Sequence, residues 1–318
     1  MRALITGGNG FLGSRVSDAL RTRGDHVTIT HHRPLATPIG PGLTPLRLDV
    51  ENGAQCEEVV RTSTPDLVIH FAGNASVSDS WEDPVAAFRT NLDGTLHLLE
   101  AVRHHAPSAR FLFAGSGTEY GDSPLQPTPE TAELRPGSPY AASKAAADLA
   151  CAQYGRGFGL DVLRVRFFGV TGVGKRGDFC NDMASQVAQL EHAPNPSLRV
   201  GSLERRRDLL DGRDAARAVV AILERGVPGE AYNVGRGTAH RLDDVLGTML
   251  ARAATPFSVT SEPSRVRRAD APVQWADVTR LRALGWSPQI PLDQTLDEIL
   301  AAWRERTTSP GSRGDRPA

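Results

Sequence analysis

Cysteine is scarce in this sequence, and its placement excludes two kinds of protein. The three cysteines, Cys56, Cys151 and Cys180, are widely separated and odd in number. A small disulfide-held domain needs paired cysteines, and a structural metal site needs ligands at short, regular spacing. Neither pattern occurs here. We therefore predict unpaired thiols in a reducing compartment and no bound metal.

An excess of charge and long apolar runs are also absent. The 36 Lys and Arg residues balance the 37 Asp and Glu residues, for a formal net charge of −1. Without a basic field we expect no nucleic-acid partner. No run reaches the roughly 18 apolar residues of a membrane span, and the chain enters its first strand without a charged and then apolar leader. We expect no membrane partner and a cytoplasmic location.

The first 24 residues carry the pattern of a dinucleotide-binding unit. A short apolar run, Arg2 to Thr6, is followed by a glycine-rich loop and then by apolar residues at helical spacing. Such glycines permit a tight turn and close backbone approach, so that the helix N-terminus can take a pyrophosphate. The expected cofactor contacts of this loop are Gly7, Gly10, Phe11, Leu12 and Gly13.

The end of the second strand favours NADP over NAD. This strand is predicted over His26 to Thr30 and leads into His31, His32 and Arg33. NAD-selective sites usually carry an acidic residue here, whereas an arginine accommodates a 2′-phosphate. Because no acid occupies positions 30 to 33, we expect Arg33 to bind that phosphate, with the two histidines as helpers. A solvated surface arginine is the alternative interpretation.

Two further strands end in residues that suit a cofactor. A third strand near Leu46 to Leu48 leads into Asp49 and Val50, where adenine contacts are expected. The apolar run from Asp66 to Ala72 is typical of a buried parallel strand. The small residues at its exit allow a cofactor to pass close to the backbone, and the expected contacts are Phe71, Ala72 and Gly73.

Asn91 lies inside a long helical segment predicted from Pro84 to about His104. Asparagine is mildly unfavourable within a helix because its side chain competes for backbone hydrogen bonds. Two interpretations stay open: a solvent-facing side chain, or a structural hydrogen bond behind the active site.

The fifth predicted strand, Arg110 to Ala114, opens into a turn that carries Ser116 and Thr118. Ligands of open α/β sheets bind at the carboxyl ends of strands, so both hydroxyls are candidate donors to a substrate oxygen. A turn rich in Gly and Ser for backbone reasons alone is the alternative.

Tyr140 and Lys144 lie on one face of a helix that Ser138 and Pro139 are suited to begin. We expect the Lys144 ammonium to lower the pKa of the Tyr140 phenol from its ordinary ~10, so that it transfers a proton near neutrality. Taken alone, the pair also fits an amphipathic helix with a half-buried tyrosine and a solvated lysine.

Together, the Thr6 to Gly13 loop, the His70 to Ser76 exit, Ser116 and the Tyr140–Lys144 pair resemble the extended short-chain dehydrogenase/reductase superfamily of nucleotide-sugar epimerases, dehydratases and reductases. The resemblance covers about residues 2 to 305. Further segments resemble its GDP-4-keto-6-deoxy-D-mannose reductase group, namely Ser80–Pro84, Gly174–Phe179, Arg199–Glu204, Arg205–Asp211, Tyr232–Gly235, Arg265–Asp270 and Leu284–Pro288.

The resemblance implies residue roles and an assembly. The implied catalytic residues are Ser116, Tyr140 and Lys144, with Thr118 as an auxiliary or replacement donor. Besides the first loop, the implied cofactor contacts are His31, Arg33, Asp49, Val50, Phe71, Ala72, Gly73, Asn91, Phe167, Tyr140 and Lys144. The implied substrate contacts are Ser76, Glu119, Asn181, Arg207, Arg267 and Asp270. Members of the superfamily commonly pair through two helices, which implies a homodimer.

The chain departs from the superfamily at two places. Family members often carry Asn and then His where this chain has Gly169 and Val170, which removes an amide expected to reach the substrate. The 4,6-dehydratases carry an Asp-Glu pair where this chain has Gly117 and Thr118. Elimination of water needs a carboxyl acid and base, so dehydratase machinery is expected to be missing.

The expected fold is α/β: a Rossmann-type doubly wound parallel sheet over residues 1–168, a smaller α/β substrate lobe over 169–305 with returns to the sheet, and a disordered tail over 306–318. The expected reaction is NAD(P)H-dependent reduction of the C4 ketone of a 4-keto-6-deoxy sugar nucleotide, with GDP-4-keto-6-deoxymannose favoured. The alternatives are a 4-epimerase, a 4,6-dehydratase and a cofactor-sensing protein without catalysis.

Overall fold

The structure is a computed structural model that describes residues 1–32, 40–262 and 271–308. Short apolar runs alternate with amphipathic helices, which is the pattern of a parallel sheet with helices on both faces. The strands of the described residues are β1 (Arg2–Thr6), β2 (His26–His31), β3 (Leu43–Arg47), β4 (Leu67–His70), β5 (Arg110–Ser116), β6 (Val162–Phe167), β7 (Gly169–Thr171), β8 (Ser197–Val200), β9 (Arg206–Asp211), β10 (Ala231–Val234), β11 (Ala239–Arg241), β12 (Ser258–Ser261) and β13 (Val273–Gln274).

The helices begin mostly at side chains that accept a backbone N–H, as Ser138 does from Ala141 at 3.2 Å. They are α1 (Phe11–Thr22), α2 (Gly53–Ser63), α3 (Val77–Glu82), α4 (Pro84–Phe88), α5 (Gly94–His105), α6 (Pro139–Phe158), α7 (Phe179–Leu190), α8 (Gly212–Arg225), α9 (Leu242–Leu250), α10 (Thr279–Ala283) and α11 (Leu292–Thr308). A π-helical turn (Arg89–Asp93) joins α4 to α5, and a 3₁₀ turn (Gly117–Tyr120) follows β5.

Seven parallel strands form the main sheet, in the order β10-β6-β5-β4-β1-β2-β3. The order reverses between β1 and β4, which pair in register from Ala3 with Leu67 to Thr6 with His70. Ligands of such sheets bind where the order reverses, outside the carboxyl ends of the strands. This confirms the predicted Rossmann-type α/β fold and places the glycine loop and the β4 exit side by side.

Each face of the sheet has its own core because successive side chains of a strand point to opposite faces. Ile5 of β1 packs with Val16 of α1 and Ile222 of α8. Its neighbour Leu4 packs on the other face with Val60 of α2 and Leu98 of α5. The helices α2, α5 and α6 therefore cover the face from which Tyr140 and Lys144 approach the strand ends.

The second half of the chain builds smaller sheets and also returns to the main one. Strand β9 pairs with β7, β11 and β13, and β8 pairs with β12. The helices α7, α9 and α11 pack on these strands through a separate apolar cluster that includes Val187, Leu246 and Ile299. Strand β10 pairs with β6 of the main sheet, from Ala231 opposite Arg164 to Val234 opposite Phe167.

Several predicted boundaries are shifted. The third strand was predicted near Leu46 to Leu48 but begins at Leu43. It can include Pro45 because it lies at the edge of the sheet, where a missing N–H is tolerated. The helix predicted from Pro84 to His104 is interrupted by the π turn around Asn91. The last helix runs to Thr308, so the first three residues of the predicted tail are helical. Residues 309–318, and with them the rest of that tail, lie outside the described residues, as do Arg33, Arg267 and Asp270.

Among the helices described, each is too short or too polar to cross a bilayer. Over the same residues, the His, Cys, Asp and Glu side chains form no group of three or more that could hold a metal ion.

Candidate active site

The glycine loop between β1 and α1 is a close-packed backbone turn. Gly7 has a φ of +64°, and its carbonyl oxygen accepts the N–H of Gly10 at 2.9 Å. A Cβ placed on Gly13 would lie 2.2 Å from that same oxygen. Gly10 caps α1 without a side chain, which leaves the first turn accessible to an anion. The loop therefore fits the diphosphate of a dinucleotide.

Replacing Gly13 by Ala is expected to weaken binding of NAD(P)H at least tenfold. The added methyl group would push the Gly7 carbonyl out of the turn that holds the diphosphate. Fluorescence titration with the reduced cofactor measures the change. Gly247→Ala is the matched control, because the position lies in α9 with no atom within 4 Å. Equal affinity in the two variants would show that the turn adapts.

The exit of β4 is fixed to the glycine loop by a chain of buried hydroxyls. The Thr6 hydroxyl is 2.7 Å from His70 Nδ1 and accepts the N–H of Ala72 at 3.2 Å. His70 Nε2 lies 3.1 Å from the Thr95 hydroxyl. Burial lowers the pKa of His70 to about 3, with the Lys144 charge acting in the same direction. A neutral His70 therefore braces the segment Phe71 to Gly73, at which the cofactor is expected.

The hydroxyl groups of Ser116 and Tyr140 meet at the end of β5. The Ser116 hydroxyl is 2.8 Å from that of Thr118, and it lies near enough to the Tyr140 phenol to oppose the rise of the phenol pKa. Lys144 lies one turn further along α6, and its Nζ donates to the carbonyl of Ala114 at 2.9 Å. A Cβ on Gly73, at the β4 exit, would lie 3.4 Å from Lys144 Nζ. The structure thus brings the four predicted catalytic side chains to the exit of the cofactor loop.

The acidities of this pair differ from the sequence prediction. Burial raises the pKa of Tyr140 to about 12, the Ser116 hydrogen bond opposes this, and the charge of Glu119 adds to it. Burial also lowers the pKa of Lys144 to about 8. The expected lowering of the phenol pKa by Lys144 is therefore wrong for this structure: burial sets the direction of the shift, and only Ser116 opposes it. Tyr140 is held in the protonated form.

Residues 3–235 match the NAD dependent epimerase/dehydratase family. The chain belongs to this family. It is 34% identical to a GDP-6-deoxy-D-mannose reductase from Pseudomonas aeruginosa over 247 residues, which are 76% of this chain and 81% of that protein. It is 29% identical to a UDP-glucose 4-epimerase from Streptomyces lividans over 98% of both chains. The predicted family resemblance is confirmed.

Solved structures of epimerase/dehydratase proteins have the same fold. RMD from Pseudomonas aeruginosa, in complex with NADPH, superposes with a TM-score of 0.82 at 29% identity, over 96% of this chain and 100% of that one. The UDP-glucose 4-epimerase of Thermus thermophilus, in complex with NAD, gives 0.85 at 31% identity, over 96% and 99%. A nicotinamide dinucleotide and a sugar nucleotide are therefore the ligand classes to test against this family member.

Two residues expected to contact substrate point into the protein instead. Glu119 is completely buried, and its Oε1 accepts the N–H of Ser116 at 2.6 Å. Asn181 is also buried, donates to Gly172 O at 3.1 Å and accepts from Trp303 Nε1 at 3.1 Å. Both side chains are held by protein partners because each closes a turn or a helix start. These placements argue against the substrate contacts expected of them.

Of the two interpretations of Asn91, the structure supports a buried side chain with structural hydrogen bonds. It is buried in the π turn, where Oδ1 accepts the N–H of Asn74 at 2.9 Å and Nδ2 donates to the Ser143 hydroxyl at 2.9 Å. Such turns are frequent at functional sites. Asn91 thus joins the β4 exit to α6, which argues for a scaffold role in place of the expected cofactor contact.

The remaining expected contacts lie near the carboxyl ends of the main-sheet strands, except Arg207, which lies on β9 of the smaller sheet. Ser76 caps α3 by accepting the N–H of Asp79 at 3.1 Å. Asp49 lies 3.6 Å from His32, at the end of β3, while the adjacent Val50 is buried. His31 ends β2. Phe167 of β6 lies 6.3 Å from the Phe71 ring. Arg207 of β9 is half-buried and donates to Ala271 O at 2.8 Å.

The two departures from the family pattern have steric causes. A Cβ on Gly169 would lie 2.1 Å from Asp208 O, because β7 runs directly against β9. A Cβ on Gly117 would lie 2.9 Å from the Phe168 ring. Neither an asparagine at 169 nor an acid at 117 fits this backbone. At position 117 the Phe168 ring thus occupies the space that a side chain would need.

A buried charge cluster beneath the site was not predicted from the sequence. Asp148, one turn after Lys144 on α6, accepts from Arg164 Nη1 at 2.7 Å and from Arg166 Nε at 3.0 Å. Arg166 Nη1 also donates to the Tyr120 hydroxyl at 2.7 Å. Two signals were available: arginines at alternate positions of an apolar strand, and an acid four residues after Lys144. The cluster joins α6 to β6 and supports Tyr140 and Lys144.

Proposed function

We propose that this protein reduces the C4 ketone of a 4-keto-6-deoxy sugar nucleotide with NAD(P)H. The observation that carries the proposal is the meeting of the Ser116 hydroxyl, the protonated Tyr140 phenol and Lys144 beside the glycine loop. A reduction needs a proton donor for the developing alkoxide, and a phenol with a pKa of about 12 is in the donating form at neutral pH. GDP-4-keto-6-deoxymannose is the favoured substrate because of the similarity to a GDP-6-deoxy-D-mannose reductase.

Each catalytic side chain has a separate task in this mechanism. When bound, the nicotinamide supplies the hydride chemistry. Ser116 holds the ketone oxygen by a hydrogen bond, and Thr118, 2.8 Å away, orients the Ser116 hydroxyl. Tyr140 donates its proton to the same oxygen. The Lys144 ammonium lies close enough to the β4 exit to hold a ribose hydroxyl and to stabilise the tyrosinate left after proton transfer.

We expect the purified protein to oxidise NADPH when given GDP-4-keto-6-deoxymannose. Absorbance at the reduced-nicotinamide band measures the rate, with NADH and with the thymidine analogue of the sugar nucleotide in parallel. NADPH is favoured because positions 30 to 33 hold no acid and include Arg33. Faster use of NADH would make the NADP preference wrong. No consumption with any 4-keto sugar nucleotide would remove the reductase assignment.

A 4-epimerase is the second candidate, since relatives of that activity match almost the whole chain. An epimerase would interconvert UDP-glucose and UDP-galactose without net consumption of cofactor. Analysis of the sugar nucleotides formed tests this directly. The absence of an acid at positions 30 to 33 counts against it, because an epimerase keeps NAD bound and NAD sites usually carry an acid there. The homodimer remains a prediction. In its support, the apolar side chains of Leu149 and Phe158 on α6 are exposed, and pairing through this helix would bury them.

A further inference from the structure

The loop between β7 and α7 packs directly against the start of α1. Arg15 of α1 donates from Nη1 to the carbonyl of Phe11 and from Nη2 to the carbonyl of Val173, both at 2.7 Å. A Cβ on Gly172 would lie 3.4 Å from Phe11 Cζ. The β7–α7 loop is therefore fixed to the helix turn that follows the glycine loop.

The β7–α7 loop brings a lysine to the same aromatic ring. Lys175 Nζ lies 5.5 Å from the centre of the Phe11 ring, and Arg15 Cζ lies 3.9 Å from it. Phe11 is the first residue of α1, and its N–H is among those that a helix leaves unpaired at its start. The Lys175 ammonium therefore lies beside the turn that fits the diphosphate of a dinucleotide.

Lys175 has no close partner of opposite charge in the part of the chain that the structure describes. There, its Nζ makes neither a hydrogen bond nor an ion pair. The Asp178 carboxyl acts on it only at longer range, and the oxygens of that carboxyl accept from the Thr171 hydroxyl and from Asn181 Nδ2. Burial lowers the pKa of Lys175, and the Asp178 charge opposes this only in part. An anion that approaches this half-buried ammonium would therefore stabilise it.

The neighbouring arginines are already engaged with the protein. Both Nη groups of Arg15 donate to backbone carbonyls, so this side chain holds the loop to the helix. Arg213, at the start of α8, is paired with Asp211 and Glu298. Of these three cations, Lys175 is the one left for a ligand.

We propose that Lys175 binds the diphosphate of the cofactor, so that the β7–α7 loop forms a second wall of the site that the glycine loop begins. The inference rests on the proposed function in taking NAD(P)H as the cofactor. The first turn of α1 offers N–H groups and the positive end of the helix dipole. Lys175 adds a full positive charge on a flexible stem, which the backbone alone does not supply.

Titration of the full-length protein with NADPH tests this assignment. Lys175→Met removes the charge but keeps an unbranched side chain. We expect the Kd for NADPH to rise about tenfold, which is the usual effect of losing one hydrogen bond to a charged group. Lys175→Arg keeps the charge and is expected to stay within about threefold of the parent. Equal Kd values for Lys175→Met and the parent would overturn the proposal.

Arg176→Met is the matched control. It removes the same charge from the next residue of the loop, whose side chain is exposed. We expect its Kd for NADPH to stay within about twofold of the parent, because salt screens an exposed charge. A rise as large as that of Lys175→Met would show that only the overall charge of the loop matters, which contradicts the assignment to Lys175.

Two further ligands separate the cofactor from the substrate as the source of the diphosphate. ADP-ribose 2′-phosphate has the diphosphate of NADPH but no nicotinamide, and calorimetric titration is expected to show the same loss of affinity in Lys175→Met. GDP is a probe for the nucleotide part of the substrate, and we expect it to bind the parent and the variant equally. A loss confined to GDP would overturn the proposal, because Lys175 would then serve the sugar nucleotide.

NMR gives a second readout on the protein with Lys175 in place. Lys144 and Lys175 are the only lysines in the sequence, so ¹³C-lysine labelling gives two side-chain signals, which Lys175→Met assigns. The charged groups that already face Lys175 are Asp178 at the start of α7 and Arg15 at the same ring. Saturation with NADP⁺ is expected to raise the Lys175 midpoint by roughly one pH unit, because a bound anion favours the ammonium. An unchanged midpoint would contradict the proposal.

None of these measurements needs a sugar nucleotide that the protein turns over. A protein that reduces no 4-keto sugar nucleotide would overturn the proposed function, and the role of Lys175 in cofactor binding would still be decided by the titrations.

Discussion

Replacing Tyr140 by Phe is expected to lower kcat by about 10³-fold, since proton transfer by a positioned side chain contributes on this order. The ring remains, so the start of α6 and the approach of Lys144 are preserved, and only the hydroxyl that bonds Ser116 is removed. Ser116 can still hold the substrate oxygen by a hydrogen bond, but its aliphatic hydroxyl is a much weaker acid than the phenol and does not replace it as proton donor. Steady-state oxidation of NADPH measures the loss, and fluorescence titration is expected to show unchanged cofactor affinity.

Tyr154→Phe is the control for this experiment. Tyr154 lies on the same helix, and its hydroxyl donates to Glu100 at 2.7 Å on the side of α6 that faces α5. The same atom is removed from the same helix, and we expect kcat within twofold of the parent. If Tyr140→Phe behaves like Tyr154→Phe, Tyr140 is not the proton donor, and a water molecule or Thr118 takes its place.

The second large effect is expected on stability. Gly169→Ala should reduce the free energy of unfolding by about 3 kcal/mol, in the upper range for overpacking a buried site. The new methyl group would lie 2.1 Å from a backbone oxygen of Asp208, which cannot rotate away as a side chain would. Strands β7 and β9 pair from Gly169–Leu209 to Thr171–Asp211, so a shift at one position disturbs the others. Urea denaturation measures the change.

Gly247→Ala serves as the reference, since a methyl group there meets no atom within 4 Å and helix α9 favours alanine. We expect it to be neutral or to add up to about 1 kcal/mol. A cost for Gly169→Ala below about 1 kcal/mol would mean that β7 yields easily. The superfamily's asparagine would then fit at this position, and its absence would have no steric cause.

Buried charge beneath the candidate active site connects the elements that carry its side chains. Asp148 links Lys144's helix to two arginines of β6, and Glu119 links the Ser116 turn to the same cluster. Removing one partner of such a cluster leaves an uncompensated charge, which is far more costly than losing an exposed ion pair. The candidate catalytic side chains therefore lie on elements that a buried charge cluster holds together.

Features that depend on neighbours in the chain were predictable. The glycine loop needs a turn and a close approach at adjacent positions, and Tyr140 and Lys144 share a helical face because they are four residues apart. The buried run after Asp66 has the continuous apolar character of a central parallel strand, and it forms β4. The family and the Rossmann-type sheet followed from these local patterns, and both are confirmed.

Properties that depend on atoms distant in sequence, such as pKa values and the space around a side chain, could be found only from the tertiary structure. The pKa of Tyr140 rises because burial between segments distant in sequence removes water from the phenol, and the charge of Glu119 adds to this rise. Gly169 excludes a side chain because β9 lies across it. Glu119 turns inward because Gly115 leaves room and Arg166 supplies an opposite charge. The sequence by itself determined the fold, the glycine loop and the shared helical face of Tyr140 and Lys144. Packing between remote segments decided the directions of their pKa shifts, their hydrogen-bond partners and the space around them.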